Sequence, residues 1–105
     1  TFSEMDEDIY EMIEYFASRN KVLYVHFRNV SDPTPNKFHE EFINTGYVDM
    51  VKAMKIYKDA GYQGCFMDDH CPDIYNDEEF PGNLGGYRSR IFAQGYIQAL
   101  LDSIK

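Results

Sequence analysis

Two short apolar runs in this chain end in polar side chains that could do chemistry together. The first run ends at His26, and the second begins at Phe66 and ends at Asp69 and His70, before Pro72 interrupts the backbone. An imidazole and a carboxylate together suit a divalent ion such as manganese, iron or zinc. We therefore interpret His26 and Asp69 as metal ligands, two of the three or four protein groups that such a site usually has.

His70 follows Asp69 directly, so on a regular strand the two side chains would point to opposite faces. They can share a site only where the strand ends and the backbone turns. We assign Asp69 to the metal and His70 to acid or base catalysis, because imidazole exchanges protons near neutral pH. Two simpler interpretations stay open: His26 as a hydrogen-bonded core residue, and Asp69 as a turn-forming residue beside a surface His70.

Arg28 and Asn29 follow His26 and are candidate substrate-binding residues. A buried guanidinium is costly unless it pairs with an anion. A substrate carboxylate is one such anion for Arg28, and structural pairing with Asp68 or Glu40 is the alternative.

Two more cations, Arg88 and Arg90, open the last predicted helix, where the helix dipole disfavours positive charge. We therefore expect at least one of them to meet an anion, and we assign Arg90 to substrate binding. His39 stands beside acidic residues in a polar segment and is expected to be a solvated loop residue rather than a ligand.

Hydrophobic patterning predicts a strand–helix–strand unit that positions both apolar runs. Residues 21–30 are predicted to form a strand, because the apolar residues Val22–Val25 and Phe27 are nearly continuous rather than alternating. This pattern is typical of a parallel strand buried on both faces. Asp49 and Gly61 are expected to cap the two ends of the following helix, and the second strand comprises Cys65–Met67. Because the strands of such a unit are parallel, both polar clusters should lie at the same edge of the sheet.

Helical spacing predicts three helices around this unit. Their apolar faces are Met5, Ile9, Met12, Ile13 and Phe16; then Met50, Ala53, Met54 and Tyr57, with Lys52, Lys55 and Lys58 facing out; and finally Phe92, Gly95, Tyr96, Ala99 and Leu100. Asn20 is expected to end the first helix, and the last is predicted from Tyr87 to about Ile104. The segments 31–46 and 71–86 are predicted to be long loops. Since two parallel strands cannot close a sheet, the segment is expected to be part of a larger α/β architecture.

Composition indicates a single domain, or a piece of one, with an acidic surface. Among 105 residues, 44% are apolar, which is enough for one core. The formal charge of -8 makes nucleic acid an unfavourable partner. No window approaches the roughly 20 apolar residues of a membrane-spanning helix and no signal peptide is recognisable, so we expect a cytoplasmic protein without membrane contact. Cys65 and Cys71 are then expected to be free thiols.

Several short motifs occur along the chain in an order specific enough to indicate a family. In chain order they are His26-Phe27-Arg28-Asn29-Val30, Phe38-His39-Glu40, Gly46-Tyr47-Val48-Asp49-Met50, Gly61-Tyr62-Gln63-Gly64, Asp69-His70, and a last helix with Arg90, Ala93, Gly95 and Tyr96. This order resembles the C-terminal part of mannonate dehydratase. The resemblance begins at about Lys21 and covers only the last third or so of such an enzyme. It implies that residues 1–105 are C-terminal β/α units of a (β/α)8 TIM barrel, similar to xylose isomerase.

The resemblance also implies an activity, a substrate and a cofactor. Enzymes of this family remove water from a small sugar acid, D-mannonate, to give 2-keto-3-deoxy-D-gluconate, and use Mn2+ or Fe2+. By motif, His26 and Asp69 correspond to metal ligands and His70 to the catalytic histidine. The remaining ligands, a cysteine and a histidine, lie upstream of these motifs, so neither Cys65 nor Cys71 is assigned to the metal. We also expect a homo-oligomer.

The chain departs from the family pattern in two places. The family commonly has Pro-Asp-His at Asp68-Asp69-His70, so Asp68 adds a carboxylate near the metal. The family's catalytic tyrosine lies in a Pro-Gly-Tyr segment, whereas Asn83 follows Pro81-Gly82 here, and we assign the catalytic role to Tyr87 instead.

Three functions therefore stay open on the sequence alone. The first is such a dehydratase, whose 105-residue segment would be inactive by itself. The second is a metal-dependent sugar isomerase or epimerase on the same barrel. The third is a non-enzymatic segment that self-associates through exposed sheet edges.

Overall fold

The computed structural model describes residues 1–77 and 87–104, which form an α/β fold as predicted. In chain order the elements are a short 3-10 helix (Phe2–Glu4), α1 (Ile9–Ala17), β1 (Tyr24–His26), β2 (Asn29–Val30), β3 (Glu40–Glu41), α2 (Met50–Asp59), β4 (Cys65–Met67) and α3 (Tyr87–Ser103). Within these two ranges, no helix combines the length and the hydropathy needed to cross a membrane.

The centre of the fold is the predicted strand–helix–strand unit. β1 and β4 are parallel, with Val25 opposite Phe66 and His26 opposite Met67, and α2 lies between them in the chain. Parallel strands joined by a helix bring their carboxyl ends to one edge of the sheet. The two polar clusters that follow β1 and β4 therefore lie side by side.

α2 has the predicted boundaries because its two ends carry strong local signals. The Asp49 carboxylate accepts a hydrogen bond from the Lys52 amide at 3.0 Å, and Gly61 has the left-handed φ of 80° that ends many helices. The predicted apolar face is buried at Met50, Ala53, Met54 and Tyr57. Lys58 was expected to face solvent, but its Nζ donates to the carbonyl groups of Leu101, at 2.8 Å, and Ile104.

α1 begins later than the apolar spacing predicts. The Asp8 carboxylate accepts hydrogen bonds from the amides of Tyr10 and Glu11, so it caps the helix at Ile9. Ile9, Ile13 and Ala17 are buried, whereas Met5 and Phe16, predicted on the same face, are 43% and 46% exposed. The predicted helix end is confirmed, because Asn20 adopts a left-handed φ of 54°.

The prediction of a strand over residues 21–30 that is buried on both faces is wrong. β1 has three residues, and although Val25 and Phe27 are buried, Leu23 is 89% exposed and Tyr24 56% exposed. In the described part of the chain β1 pairs with β4 alone. Leu23 and Tyr24 consequently have little to pack against.

The segment 31–46 is not the featureless loop that its composition predicts. It contains β3, which pairs antiparallel with β2, so that Asn29 lies opposite Glu41 and Val30 opposite Glu40. The resulting hairpin brings Glu40 into contact with Arg28, which follows β1.

The core is mainly aliphatic with an aromatic cluster around Phe27, and α3 packs on it with a different face from the predicted one. Phe27 is fully buried, with its ring centroid 5.8 Å from that of Phe2 and 5.3 Å from that of Phe66. Of the predicted α3 face only Leu100 is buried, whereas Phe92 is 47% exposed. The buried residues of α3 are Ser89, Ala93, Ile97 and Leu100. Apolar residues occur on several sides of this helix, so their spacing does not select one face.

Candidate active site

His26 and Asp69 meet at the ends of β1 and β4, as the sequence predicted. Asp69 Oδ1 lies 3.1 Å from His26 Nδ1, and the Asp69 side chain is 10% exposed. The second ring nitrogen, His26 Nε2, is hydrogen-bonded to the Tyr24 hydroxyl at 2.9 Å. One imidazole nitrogen therefore faces the carboxylate while the other is held by a neighbour on the same strand. An open cavity, lined also by Phe2 and Tyr57, lies beside this ring.

The backbone turns at Asp69 and brings His70 to the same place. Asp69 has a left-handed φ of 58°, a conformation that Asp and Asn tolerate better than most side chains. As a result His70 Nε2 lies 3.6 Å from Asp69 Oδ1 instead of on the opposite face of a strand. The His70 side chain is 58% exposed, so it can reach a molecule bound above the strand ends.

Arg28 is surrounded by carboxylates that belong to the protein. Its side chain is 7% exposed, with Nη2 paired to Glu4 and Nη1 to Glu40. Nε makes an ion pair with Asp69 Oδ2 at 3.0 Å, although this nitrogen has no acceptor in hydrogen-bonding geometry. Pairing with Glu40, which was the structural alternative for Arg28, is therefore observed. Every guanidinium nitrogen faces a carboxylate of the protein, so none is left for the expected substrate carboxylate. Glu4 is a partner of Arg28 that sequence reasoning did not identify.

The Asn29 side chain is also buried and hydrogen-bonded to the protein backbone, contrary to its sequence-based assignment to substrate binding. The side chain is 1% exposed. Its Nδ2 donates to the carbonyl groups of Ile43 and Val48, and its Oδ1 accepts from the amides of Val30 and Val48. All four hydrogen-bonding positions of the amide are thereby used. Gly46 lies so close that a Cβ there would collide with Asn29 Oδ1.

We expect Asn29→Ala to lower the free energy of unfolding by about 3–5 kcal/mol, because buried backbone donors and acceptors lose their partner. Chemical denaturation of the intact protein, followed by circular dichroism, measures this change. Asn44→Ala is the control, since Asn44 is exposed and directly follows Ile43, one of the residues that Asn29 contacts. Its effect should stay below about 0.5 kcal/mol. Equal losses in the two variants would contradict the structural role of Asn29.

Arg90 and Tyr87 lie in the first turn of α3. Arg90 Nη1 is 3.5 Å from Asp68 Oδ2, and Asp68 is buried. Tyr87 is 45% exposed at the first residue of the helix. The segment Pro81-Gly82-Asn83, where the family tyrosine was expected, lies outside the described residues.

The remaining residues considered in the sequence are His39 and the two cysteines. His39 is 75% exposed and contacts Ser31 and Glu41, as expected of a solvated loop residue. Cys65 and Cys71 are free thiols, as predicted. Burial, reinforced by the negative charge of Asp68, raises the pKa of the Cys71 thiol to about 11, so this thiol is protonated at neutral pH.

The donor chemistry of His26 and Asp69 fits a divalent cation, but these two residues are an incomplete set. Across residues 1–77 and 87–104, no group of three or more His, Cys, Asp and Glu side chains has an arrangement that could hold a metal ion. A borderline cation accepts imidazole nitrogen and carboxylate oxygen together. The assignment of His26 and Asp69 to a metal therefore stays a prediction.

Comparisons with known proteins connect this geometry to one family. A family model described as D-mannonate dehydratase (UxuA) matches residues 1–105. The mannonate dehydratase of Brachyspira hyodysenteriae is 30% identical over 105 residues, which are 98% of this chain and 28% of the relative. The mannonate dehydratase of Thermotoga maritima is 30% identical over 101 residues, 94% of this chain and 28% of the relative.

A solved structure shows the same relation. The crystal structure of mannonate dehydratase from Streptococcus suis serotype2 matches with a TM-score of 0.75 and 28% sequence identity, covering 89% of this chain and 27% of that chain. The chain thus spans little more than a quarter of the length of the relatives it matches.

Proposed function

Because the chain belongs to the mannonate dehydratase family, we propose that it supplies part of the active site of an enzyme that converts D-mannonate to 2-keto-3-deoxy-D-gluconate and water. The observation that carries the proposal is the meeting of His26, Asp69 and His70 at the carboxyl ends of parallel strands. In (β/α)8 barrels that edge of the sheet carries the catalytic residues.

The fold we propose for the whole enzyme is such a TIM barrel, to which this chain contributes β/α units. Two observations support it. β1, α2 and β4 form a parallel strand–helix–strand unit, which is the repeating element of the barrel. In addition, Tyr24 on β1 and Leu23 just before it are exposed, as side chains of a parallel strand are when the elements that cover its faces belong to the rest of the enzyme.

His26 and Asp69 would hold the catalytic cation, Mn2+ or Fe2+, with further ligands from elsewhere in the enzyme. Their nitrogen and oxygen donors suit either ion, and the contact of His26 with the Tyr24 hydroxyl is the kind of outer interaction that orients a ligating imidazole. When bound, the cation supplies positive charge that stabilises the negative charge developing on the substrate carboxylate.

The protein side chains would then move the protons. Loss of water requires one group to remove the proton from the carbon next to the carboxylate, and another to protonate the departing hydroxyl. We assign these transfers to the His70 imidazole and the Tyr87 hydroxyl. Both side chains are exposed, and Tyr87 begins the turn of α3 that contains Arg90. Arg90, in the first turn of α3, would help bind the acidic substrate, although it also faces Asp68.

The test is to incubate the intact protein, meaning the complete enzyme to which residues 1–105 contribute, with D-mannonate and Mn2+ and to measure the 2-keto acid product. We expect 2-keto-3-deoxy-D-gluconate to form in a metal-dependent manner. Formation of an isomeric sugar without loss of water would instead establish an isomerase or epimerase, and no conversion of sugar acids in the presence of metal would contradict an enzymatic role.

A further inference from the structure

The guanidinium of Arg28 connects four separate parts of the chain at the candidate metal site. Arg28 follows β1, Glu4 ends the N-terminal 3-10 helix, Glu40 lies on β3, and Asp69 follows β4. Each of the three guanidinium nitrogens faces a different carboxylate of this set. The ring of Phe38 lies 5.8 Å from the guanidinium carbon and covers one side of the group.

We propose that Arg28 is a positioning residue, which fixes the orientation of the Asp69 carboxylate while Glu4 and Glu40 hold the guanidinium in place. The proposal rests on the proposed function in one respect, since it takes Asp69 to be a ligand of the catalytic cation. It replaces the binding of a substrate carboxylate as the function of Arg28.

The two oxygens of Asp69 have different environments, and Arg28 accounts for the difference. Oδ2 lies 3.0 Å from Arg28 Nε, whereas Oδ1 faces the two imidazoles, 3.1 Å from His26 Nδ1 and 3.6 Å from His70 Nε2. With Oδ2 beside the guanidinium, Oδ1 is the oxygen directed towards the candidate ligand and the candidate proton carrier.

Asp69 needs such a partner because its backbone position does not fix its side chain. The residue lies beyond the last β1–β4 pair and has a left-handed φ, so strand pairing does not hold it. Arg28 is 7% exposed and anchored on two other elements, and the planar fork of an arginine loses little freedom on binding several acceptors. It therefore supplies the rigidity that the turn lacks.

Electrostatics and positioning predict opposite effects when the charge of Arg28 is removed. A nearby positive charge repels a cation. If charge alone mattered, Arg28→Met would bind Mn2+ more tightly, and Arg28→Lys would bind it with unchanged affinity. A positioning role requires the planar fork, so both variants should bind Mn2+ more weakly. Loss of an outer contact to a metal ligand typically costs about 10–100-fold in affinity.

The experiment is a calorimetric titration of the intact protein and both Arg28 variants with Mn2+, combined with kcat and KM for D-mannonate. We expect about 10–100-fold weaker Mn2+ binding in both variants, and a lower kcat at saturating Mn2+. Unchanged or tighter Mn2+ binding would overturn the proposal, as would a raised KM with unchanged Mn2+ affinity, which would return Arg28 to substrate binding. Absence of Mn2+ binding to the unsubstituted protein would overturn it as well.

Two neighbouring residues of β3 provide a matched pair that does not depend on whether the Arg28 variants fold. Glu40 pairs with Arg28, whereas Glu41 contacts His39 and Thr45 instead. Glu40→Gln should weaken Mn2+ binding in the same direction as Arg28→Lys, and Glu41→Gln should leave it unchanged. Equal Mn2+ affinities in the two glutamine variants would overturn the proposal.

The two proposals fail in distinguishable ways. If Mn2+ binding follows the predicted pattern but D-mannonate is not dehydrated, the proposed reaction is wrong and the positioning role of Arg28 stands. If dehydration occurs and the Arg28 and Glu40 variants bind Mn2+ normally, the reaction stands and the positioning role is wrong.

Discussion

Asp69→Asn is expected to abolish Mn2+ binding and dehydration while leaving the fold intact. The substitution removes the negative charge of a proposed ligand, so the loss in affinity should exceed the about 10–100-fold that an outer contact contributes. The fold should survive for two reasons. Asparagine tolerates the left-handed φ of 58° at this position as aspartate does, and Arg28 keeps two carboxylate partners, Glu4 and Glu40.

Metal analysis after dialysis, together with Mn2+ titration of the intact protein, measures this effect. Asp59→Asn is the control because Asp59 is an exposed carboxylate at the end of α2 that pairs with Lys55, and it should bind Mn2+ like the unsubstituted protein. Full metal occupancy in Asp69→Asn would eliminate Asp69 as a ligand.

His70→Asn is expected to retain Mn2+ and to lose about 10²–10⁴-fold in kcat, the usual contribution of a general acid or base. His70 is close to Asp69 Oδ1, at 3.6 Å, but is 58% exposed, as a residue that exchanges a proton with a bound molecule must be. Asparagine can still form hydrogen bonds but cannot exchange a proton at neutral pH. Metal content and steady-state kinetics on the same preparation separate the two properties.

His39→Asn is the matched control for this experiment. His39 is another exposed imidazole, 75% exposed, and it contacts only residues of the hairpin among its described partners, Ser31 and Glu41. Its replacement should change neither Mn2+ content nor kcat. If His70→Asn instead lost Mn2+ as completely as Asp69→Asn, His70 would be a ligand and its assignment to proton transfer would be wrong.

Much of the fold could be predicted because its signals are local. Between Asp49 and Gly61, α2 carries a capping carboxylate, an apolar face and a left-handed glycine, and together these signals indicate a helix and both of its ends. The β2–β3 hairpin carries none of these. Each of its strands has two residues, which is too short for alternation to be recognised, so its prolines and polar residues indicate only a loop.

One part of the candidate site could be predicted from topology, whereas the other part depends on tertiary contacts that the sequence does not show. The meeting of His26 with Asp69 follows from the strand–helix–strand order alone, because parallel strands end at one edge. The partners of Arg28 do not follow from it. Glu4 precedes Arg28 by 24 residues and reaches it from a short 3-10 helix, and spacing within elements contains no information on such a contact.

The hydrogen bonds of Lys58 connect the position of one end of α3 to the contact made at its other end. Lys58 Nζ holds the carboxyl end of this helix through the carbonyl groups of Leu101 and Ile104, while the amino end presents Arg90 to Asp68. A helix of this length extends about 25 Å, so a tilt of about 5° around the Lys58 anchor moves the first turn by about 2 Å. Lys58, which contacts the end of α3 opposite to Arg90, thereby helps set the distance between the Arg90 guanidinium and the buried Asp68 carboxylate.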